Sequence, residues 1–262
     1  MKLAAHDQNM NCDMGEQREA TVAADAAGPA PRLLERPRRR GPDDAPRLDH
    51  PTREQIAALP PYERLPLERI RVVLNRVDED FAIARMAESG IVGFDTETKP
   101  VFQVGQASDG PHIIQLATLN HAFIFQVGAS VPDALRNCLE SPHLLKVGFG
   151  LNSDRGPLFR KFGIRLQSVV DVSRAFRPLG YKQRVGAKAS VAIVLGMQLK
   201  KSKKVTTSNW ANRRLTPEQL QYAADDAQAG LAVYLAMGCP SLEGNQRRGR
   251  SEQEPAAVRD TE

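Results

Sequence analysis

Apolar positions along this chain fall into short runs, separated by polar breaks that carry glycine, proline and asparagine. Some runs alternate or stay continuous over four to six positions, as strands do; others recur on one helical face. Residues 80–89 suit a short helix closed by Gly90, and residues 91–95 then read as a buried strand. Residues 99–111 lack a period and read as a loop. Two apolar runs follow, 112–118 and 122–127, and the short connection Leu119-Asn-His121 predicts an antiparallel hairpin. Pro132 opens a predicted helix that reaches about residue 140, and residues 144–149 form the next strand. A helix capped by Asn152 or Ser153 runs through residue 162, and residues 167–172 are a last short strand. Helical segments follow at about 173–180, 187–197 and 216–238. In the last of these Thr216 is the expected N-cap and Pro217 the first helical residue. A hairpin inside a crossover-connected series predicts an α/β fold, a mixed β-sheet flanked by α-helices.

Composition sets the limits of that domain. Residues 1–60 are rich in Ala, Pro, Arg and Asp, with Pro37-Arg-Arg-Arg-Gly-Pro42 and no sustained apolar period. Residues 241–262 are polar and charged. Both stretches are expected to be disordered tails around a single domain at 61–240. Cys12, Cys138 and Cys239 are too few and too widely spaced for a disulfide framework or a thiolate zinc site. The first residues lack a signal peptide, and no run approaches the ~18 apolar residues of a membrane span. A soluble, intracellular, cytoplasmic protein is therefore expected, or a nuclear one in a eukaryote. Residues 141–240 hold 16 Lys and Arg against 5 Asp and Glu, a net +11. Such a surface attracts polyanions, although an exposed basic surface without a partner fits as well.

Against that basic background stand four acids in apolar surroundings. Asp95 and Glu97 lie in Ile91-Val-Gly-Phe-Asp-Thr-Glu-Thr98, Asp154 in Leu144-Leu-Lys-Val-Gly-Phe-Gly-Leu-Asn-Ser-Asp154, and Asp226 in Tyr222-Ala-Ala-Asp-Asp226. Asp95 and Glu97 are two apart, so on a strand they share a face. Tyr222 and Asp226 are four apart, so on a helix they share a side. Asp154 follows a strand end, where open α/β sheets place ligands. Carboxylates in such settings are costly unless something positive holds them. A pair of divalent metal ions would do so, and oxygen-only ligation suits Mg²⁺ or Mn²⁺. That chemistry points to phosphodiester hydrolysis. The neighbouring Asp225, one helical step of about 100° away, is expected to face solvent.

Together with Pro111-His-Ile-Ile-Gln-Leu-Ala117, Lys146-Val-Gly-Phe-Gly150, Ser208-Asn-Trp210 and Leu215 through Gly230, these segments resemble the DEDD exonucleases that carry Tyr at the third motif. The likeness covers roughly residues 75–238 and is nearest to the Werner-syndrome type of exonuclease domain, with ribonuclease D more distant. It implies a ribonuclease H-like fold and a 3′–5′ exonuclease that releases nucleoside 5′-monophosphates from DNA or RNA 3′ ends. By that resemblance Asp95 would bridge two metal ions, Glu97 and Asp226 would complete one site, and Asp154 would act on the second. Tyr222 would orient the attacking water. The alternative is a catalytically silent nucleic-acid-binding module of the same fold.

Substrate contacts are open at this level. Lys200, Lys201, Lys203, Lys204, Arg213 and Arg214 flank the third motif and would either track phosphates or form an exposed basic loop. Asn152 would bond a nucleotide or cap the following helix. Phe102 is either a wedge against a terminal base pair or a hydrophobic anchor, and Trp210 is expected in the core. Gly148-Phe-Gly150 lacks the third glycine of a dinucleotide loop, and no Gly-Lys-Ser/Thr phosphate loop is present. A stand-alone exonuclease domain, without further helical nucleic-acid-binding domains, is expected.

Overall fold

The hairpin sits at the centre of the architecture. A computed structural model describes residues 48–101, 105 and 108–238. Six strands form one mixed sheet: β1 (Ile70–Val72), β2 (Ile91–Glu97), β3 (Ile113–Ala117), β4 (Ala122–Gln126), β5 (Leu145–Gly148) and β6 (Val169–Asp171), in the order β1-β4-β3-β2-β5-β6. Strands β2, β3 and β4 pair antiparallel, with Asp95 opposite Gln115, while β5 and β6 run parallel to β2. Strand β1, parallel to β4 at the edge, has no counterpart in the predicted series; three residues are too few to show a period.

The helices are α1 (Arg53–Ala57), α2 (Arg76–Ser89), α3 (Asp133–Glu140), α4 (Asn152–Phe162), α5 (Ala187–Leu195), α6 (Lys203–Thr206) and α7 (Pro217–Ala236). Helix α2 starts four residues earlier than expected because Asn75 accepts from the Asp78 N–H, and Gly90 ends it in the left-handed region at φ 64°. The stretch expected as helix at 173–180 is two 3₁₀ turns, Val172–Arg174 and Arg177–Leu179. The expected N-terminal tail also differs. From Leu48 onward it is structured, with a Thr52–Gln55 capping box on α1 and Tyr62 N–H donating to Gln198 O at 3.0 Å. Residues 1–47 and 239–262, with the Arg-rich run and Phe102, lie outside the described residues.

Alternation sorts the sheet's side chains into two faces. Phe94, Ile114, Leu116, Phe123 and Phe125 pack against Ala82, Met86, Leu135, Leu139 and Leu158 on one side. Ile113, Ala117 and Ile124 meet Trp210, Tyr222, Ala223 and Ala227 on the other. Helix α7, about 30 Å long, crosses this second face in contact with β1 through β5. It lies close because the facing residues have no bulk. A Cβ on Gly93 would stand 1.9 Å from Ala227 O, and one on Gly230 would stand 2.9 Å from Gly148 Cα. No helix among the described residues is long and apolar enough to cross a membrane.

Lys146 is fully buried within β5. Its Nζ donates to Cys138 O (3.1 Å) and Ser141 O (2.8 Å), so it caps the carbonyl end of α3. Burial pushes its pKa down to about 8.

Two outcomes follow from this packing. Gly93→Ala should destabilise by about 1–3 kcal/mol or more, as overpacking does, whereas Gly128→Ala, which meets nothing within 4 Å, should be near neutral; urea denaturation checks both. Because the folded-state pKa of Lys146 lies below its unfolded value, the burial cost is fully present below about pH 8 and is relieved as pH rises towards 10.5. The parent protein should therefore gain stability relative to Lys146→Met across that window in the same assay.

Candidate active site

Strand β2 delivers Asp95 and Glu97 on the face that also holds Gly93, the α7 side. Helix α7 delivers Tyr222 and Asp226 from above. Its start is fixed by a capping box between Thr216 and Gln219 with Pro217 in the first turn. Asp154 arrives from the first turn of α4, after a bend in which Gly150 takes φ 74° and donates its N–H to Asp171 Oδ1 at 2.9 Å. Asp226 and Tyr222 are buried, and Asp95, Glu97 and Asp154 remain partly open to solvent.

The carboxylates feel one another. Burial raises Asp95 well above the usual carboxylate range, and the charges of Asp226 and Asp154 add to the rise. Burial, with Asp95 and Asp226 behind it, pushes Glu97 up to about 9. Burial lifts Asp154 to about 6 although Thr96 Oγ1 donates to its Oδ1 at 2.5 Å. Asp226 is raised by burial against the opposing ammonium of Lys201, whose Nζ lies 2.8 Å from Asp226 Oδ2. Burial alone would lower Lys201, but Asp226, Tyr222 and Asp95 outweigh it and hold the ammonium charged. Asp226 Oδ1 is buried with no hydrogen-bond partner among the described residues.

Tyr222 is held on both sides. Its ring leans on Trp210, centroids 5.8 Å apart, and its hydroxyl lies 3.0 Å from that of Thr206, which donates to Ser202 O. Burial first and Asp226 second raise its pKa to about 12, so the phenol keeps its proton at neutral pH.

The five residues expected at the centre lie within reach of one another's charge. The other expectations divide. Lys200, Lys203, Lys204, Arg213 and Arg214 are exposed, whereas Lys201 turns inward to Asp226. Asn152 is exposed in the first turn of α4 and makes no cap bond; Leu151 occupies the cap position, so the capping alternative fails. Asp225 does not face solvent: it is 3% exposed, and burial raises its pKa against opposing bonds from Arg64 and Gln221. Trp210 is fully buried, as expected.

Three further residues carry no sequence signal of their own. Thr96 links Asp95 and Asp154 by donating its N–H to the first (2.8 Å) and its hydroxyl to the second. Thr206 holds Tyr222. Gln115, opposite Asp95, is fully buried with neither amide atom partnered among the described residues.

Among the described residues no three carboxylate, imidazole or thiol groups close on one point in this side-chain arrangement. Lys201 instead engages Asp226, and Thr96 engages Asp95 and Asp154. The donor set still fits hard divalent cations: every donor is oxygen, the acids destabilise one another, and one buried carboxylate oxygen is unsatisfied.

Comparison with known proteins identifies the family and the fold. The 3′–5′ exonuclease family model matches residues 70–239. The chain belongs to that family. Exonuclease-family relatives include the mouse bifunctional 3′–5′ exonuclease/ATP-dependent helicase WRN, 33% identical over 165 residues, which are 62% of this chain and 12% of that protein. An Arabidopsis thaliana 3′–5′ exonuclease is 31% identical over 155 residues, 57% of this chain and 54% of its own length. The chain therefore spans about half or less of these two relatives. The Aedes aegypti Nibbler EXO domain shares the fold with a TM-score of 0.57 at 22% identity, covering 72% of this chain and 93% of that one. Escherichia coli RNase D does so at 0.55 and 20%, covering 64% and 44%. This exonuclease-family fold is the expected ribonuclease H-like mixed sheet flanked by helices.

The electrostatics predict a pH signature. Because the folded pKa of Glu97 is raised to about 9, the stability it contributes is complete below its ordinary value of 4.5 and is lost as pH rises towards 9. In chelator, the parent should lose stability relative to Glu97→Gln across that window in thermal denaturation series.

Proposed function

We propose that this chain is a divalent-metal-dependent 3′–5′ exonuclease that hydrolyses phosphodiester bonds at DNA or RNA 3′ ends and releases nucleoside 5′-monophosphates. The observation that carries the reading is the grouping, on the exonuclease-family segments, of four acids whose charges add to the raised pKa of Asp95 and Glu97, with one buried carboxylate oxygen of Asp226 unsatisfied among the described residues. The complex of Trypanosoma brucei RNase D with RNA U12, a fold neighbour at TM-score 0.55 and 20% identity covering 70% of this chain and 64% of its own, supports a nucleic-acid substrate.

Asp95, Glu97, Asp154 and Asp226 would hold two Mg²⁺ or Mn²⁺ ions, which supply Lewis acidity at the scissile phosphate and leaving oxygen. The protein's own groups supply order. Tyr222 is protonated at neutral pH, and its hydroxyl, anchored beside Thr206 and Asp226, would turn its proton towards the attacking water and fix its approach. Thr96 holds Asp154 in register with Asp95, and Trp210 limits tilting of the Tyr222 ring. The Lys201–Asp226 ion pair favours a second reading, a silent binding module in which an ammonium takes a cation's place.

Digestion of 5′-labelled single-stranded DNA, recessed duplex and RNA with Mg²⁺, Mn²⁺ or EDTA separates the two. The exonuclease yields a metal-dependent ladder shortening from the 3′ end. Asp95→Asn should lower its rate by about 10³-fold or more, and Tyr222→Phe by about 10–100-fold in single turnover, since it removes one aimed donor. Binding without cleavage of any substrate would establish the silent module.

A further inference from the structure

Beside Tyr222 and Lys201 opens a cleft of about 840 Å³. Among the described residues Arg64, Lys200, Lys201 and Lys204 line it against a single carboxylate, Glu218. Lys201 is engaged with Asp226, which leaves Arg64, Lys200 and Lys204 as its outward cations. Tyr222 is the one aromatic side chain that the described residues place on the walls, and their remaining polar lining is hydroxyls and amides. Such walls suit phosphates and sugars better than stacked bases, which need several aromatic faces.

Arg64 is built into this wall rather than left on the surface. It belongs to a segment strapped across α7. Tyr62 Oη donates to Gln228 Oε1 (3.1 Å), and Gln221 Nε2 donates to Leu65 O (3.0 Å). The Arg64 Nε and Nη2 both reach Asp225 Oδ2, at 2.7 and 2.6 Å. Gln221 Nε2 holds the other carboxylate oxygen at 3.0 Å. Asp225 is buried, yet the Arg64 side chain is 49% exposed, with Nη1 unpartnered among the described residues. A guanidinium clamped along one edge keeps its remaining N–H groups pre-aimed, and phosphate oxygens match that fork.

We propose that this cleft binds the phosphates of a single-stranded polynucleotide running to the active site, with Asp225 as the buried anchor that aims Arg64. The inference rests on the exonuclease reading and names the path of the strand. It also gives Asp225, the acid beside Asp226, a positioning role outside the reaction centre.

The test uses the full chain carrying Asp95→Asn, so that substrate survives, with fluorescein-labelled dT12 followed by anisotropy in EDTA over a KCl series. Adding Arg64→Gln should weaken binding about tenfold or more at low salt. It should also lower the log–log salt slope by about 0.7, the share of one phosphate on a single strand. Lys204→Gln, which has no buried partner to disturb, should lower the slope similarly. Arg85→Gln on α2 removes the same charge away from the cleft and sets the background. Sequence preference should be slight, with mixed-sequence DNA bound about as well as dT12. Arg64→Gln and Lys204→Gln both indistinguishable from Arg85→Gln would overturn the cleft while leaving the exonuclease reading intact. Equal competition by dTMP would assign the cleft to the released mononucleotide instead. No binding of any oligonucleotide by the Asp95→Asn parent would remove both readings.

Discussion

The close seat of α7 on the sheet is the contact on which the active centre depends. At Gly93 and Gly230 a single added carbon would meet backbone, so helix and strands approach more closely than side-chain layers normally allow. That approach carries Tyr222 and Asp226 down to Asp95 and Glu97. It also hides Gln115, opposite Asp95, in a layer otherwise filled by Ile113, Ala117, Ile124 and Trp210. A helix held one carbon farther away would leave two half-sites.

Bringing acids together this way costs stability. Burial and mutual repulsion raise Asp95 and Glu97 far from their ordinary values, and Lys201 offsets only part of the charge. The surroundings are arranged to bear that cost. Thr96 ties two of the acids together, the Thr216–Gln219 box fixes where α7 begins, and the strap at residues 62–65 pins its outer side. A bound cation would relieve stored destabilisation of this kind, and under the proposed function stability and activity would pull on the same four residues.

Much of this was legible in the sequence, and the exceptions have physical causes. The hairpin, Gly90 at the end of α2 and the Thr216–Pro217 start of α7 announce themselves locally through period, backbone freedom and capping chemistry. The two-residue and four-residue spacings placed Asp95 with Glu97 and Tyr222 with Asp226 correctly on shared faces. What sequence order hides is covering by distant segments. Asp225 points away from Asp226, but that direction meets Arg64, 161 residues earlier, rather than water. Lys201 reads as one lysine in a basic run, and only the fold reveals that it turns inward. Strand β1 is too short for a pattern, and Asn152 shows that a residue with capping chemistry need not sit at the cap.

The central claim is that these buried acids are a cation site. Calorimetric titration of Mn²⁺ into the metal-free protein near pH 8, alongside Asp226→Asn, tests it most directly. The account predicts saturable binding by the parent, accompanied by proton release as the raised carboxylates lose their protons, and severely weakened binding by the variant. Binding of equal strength and stoichiometry in both proteins, or none in either, would contradict it.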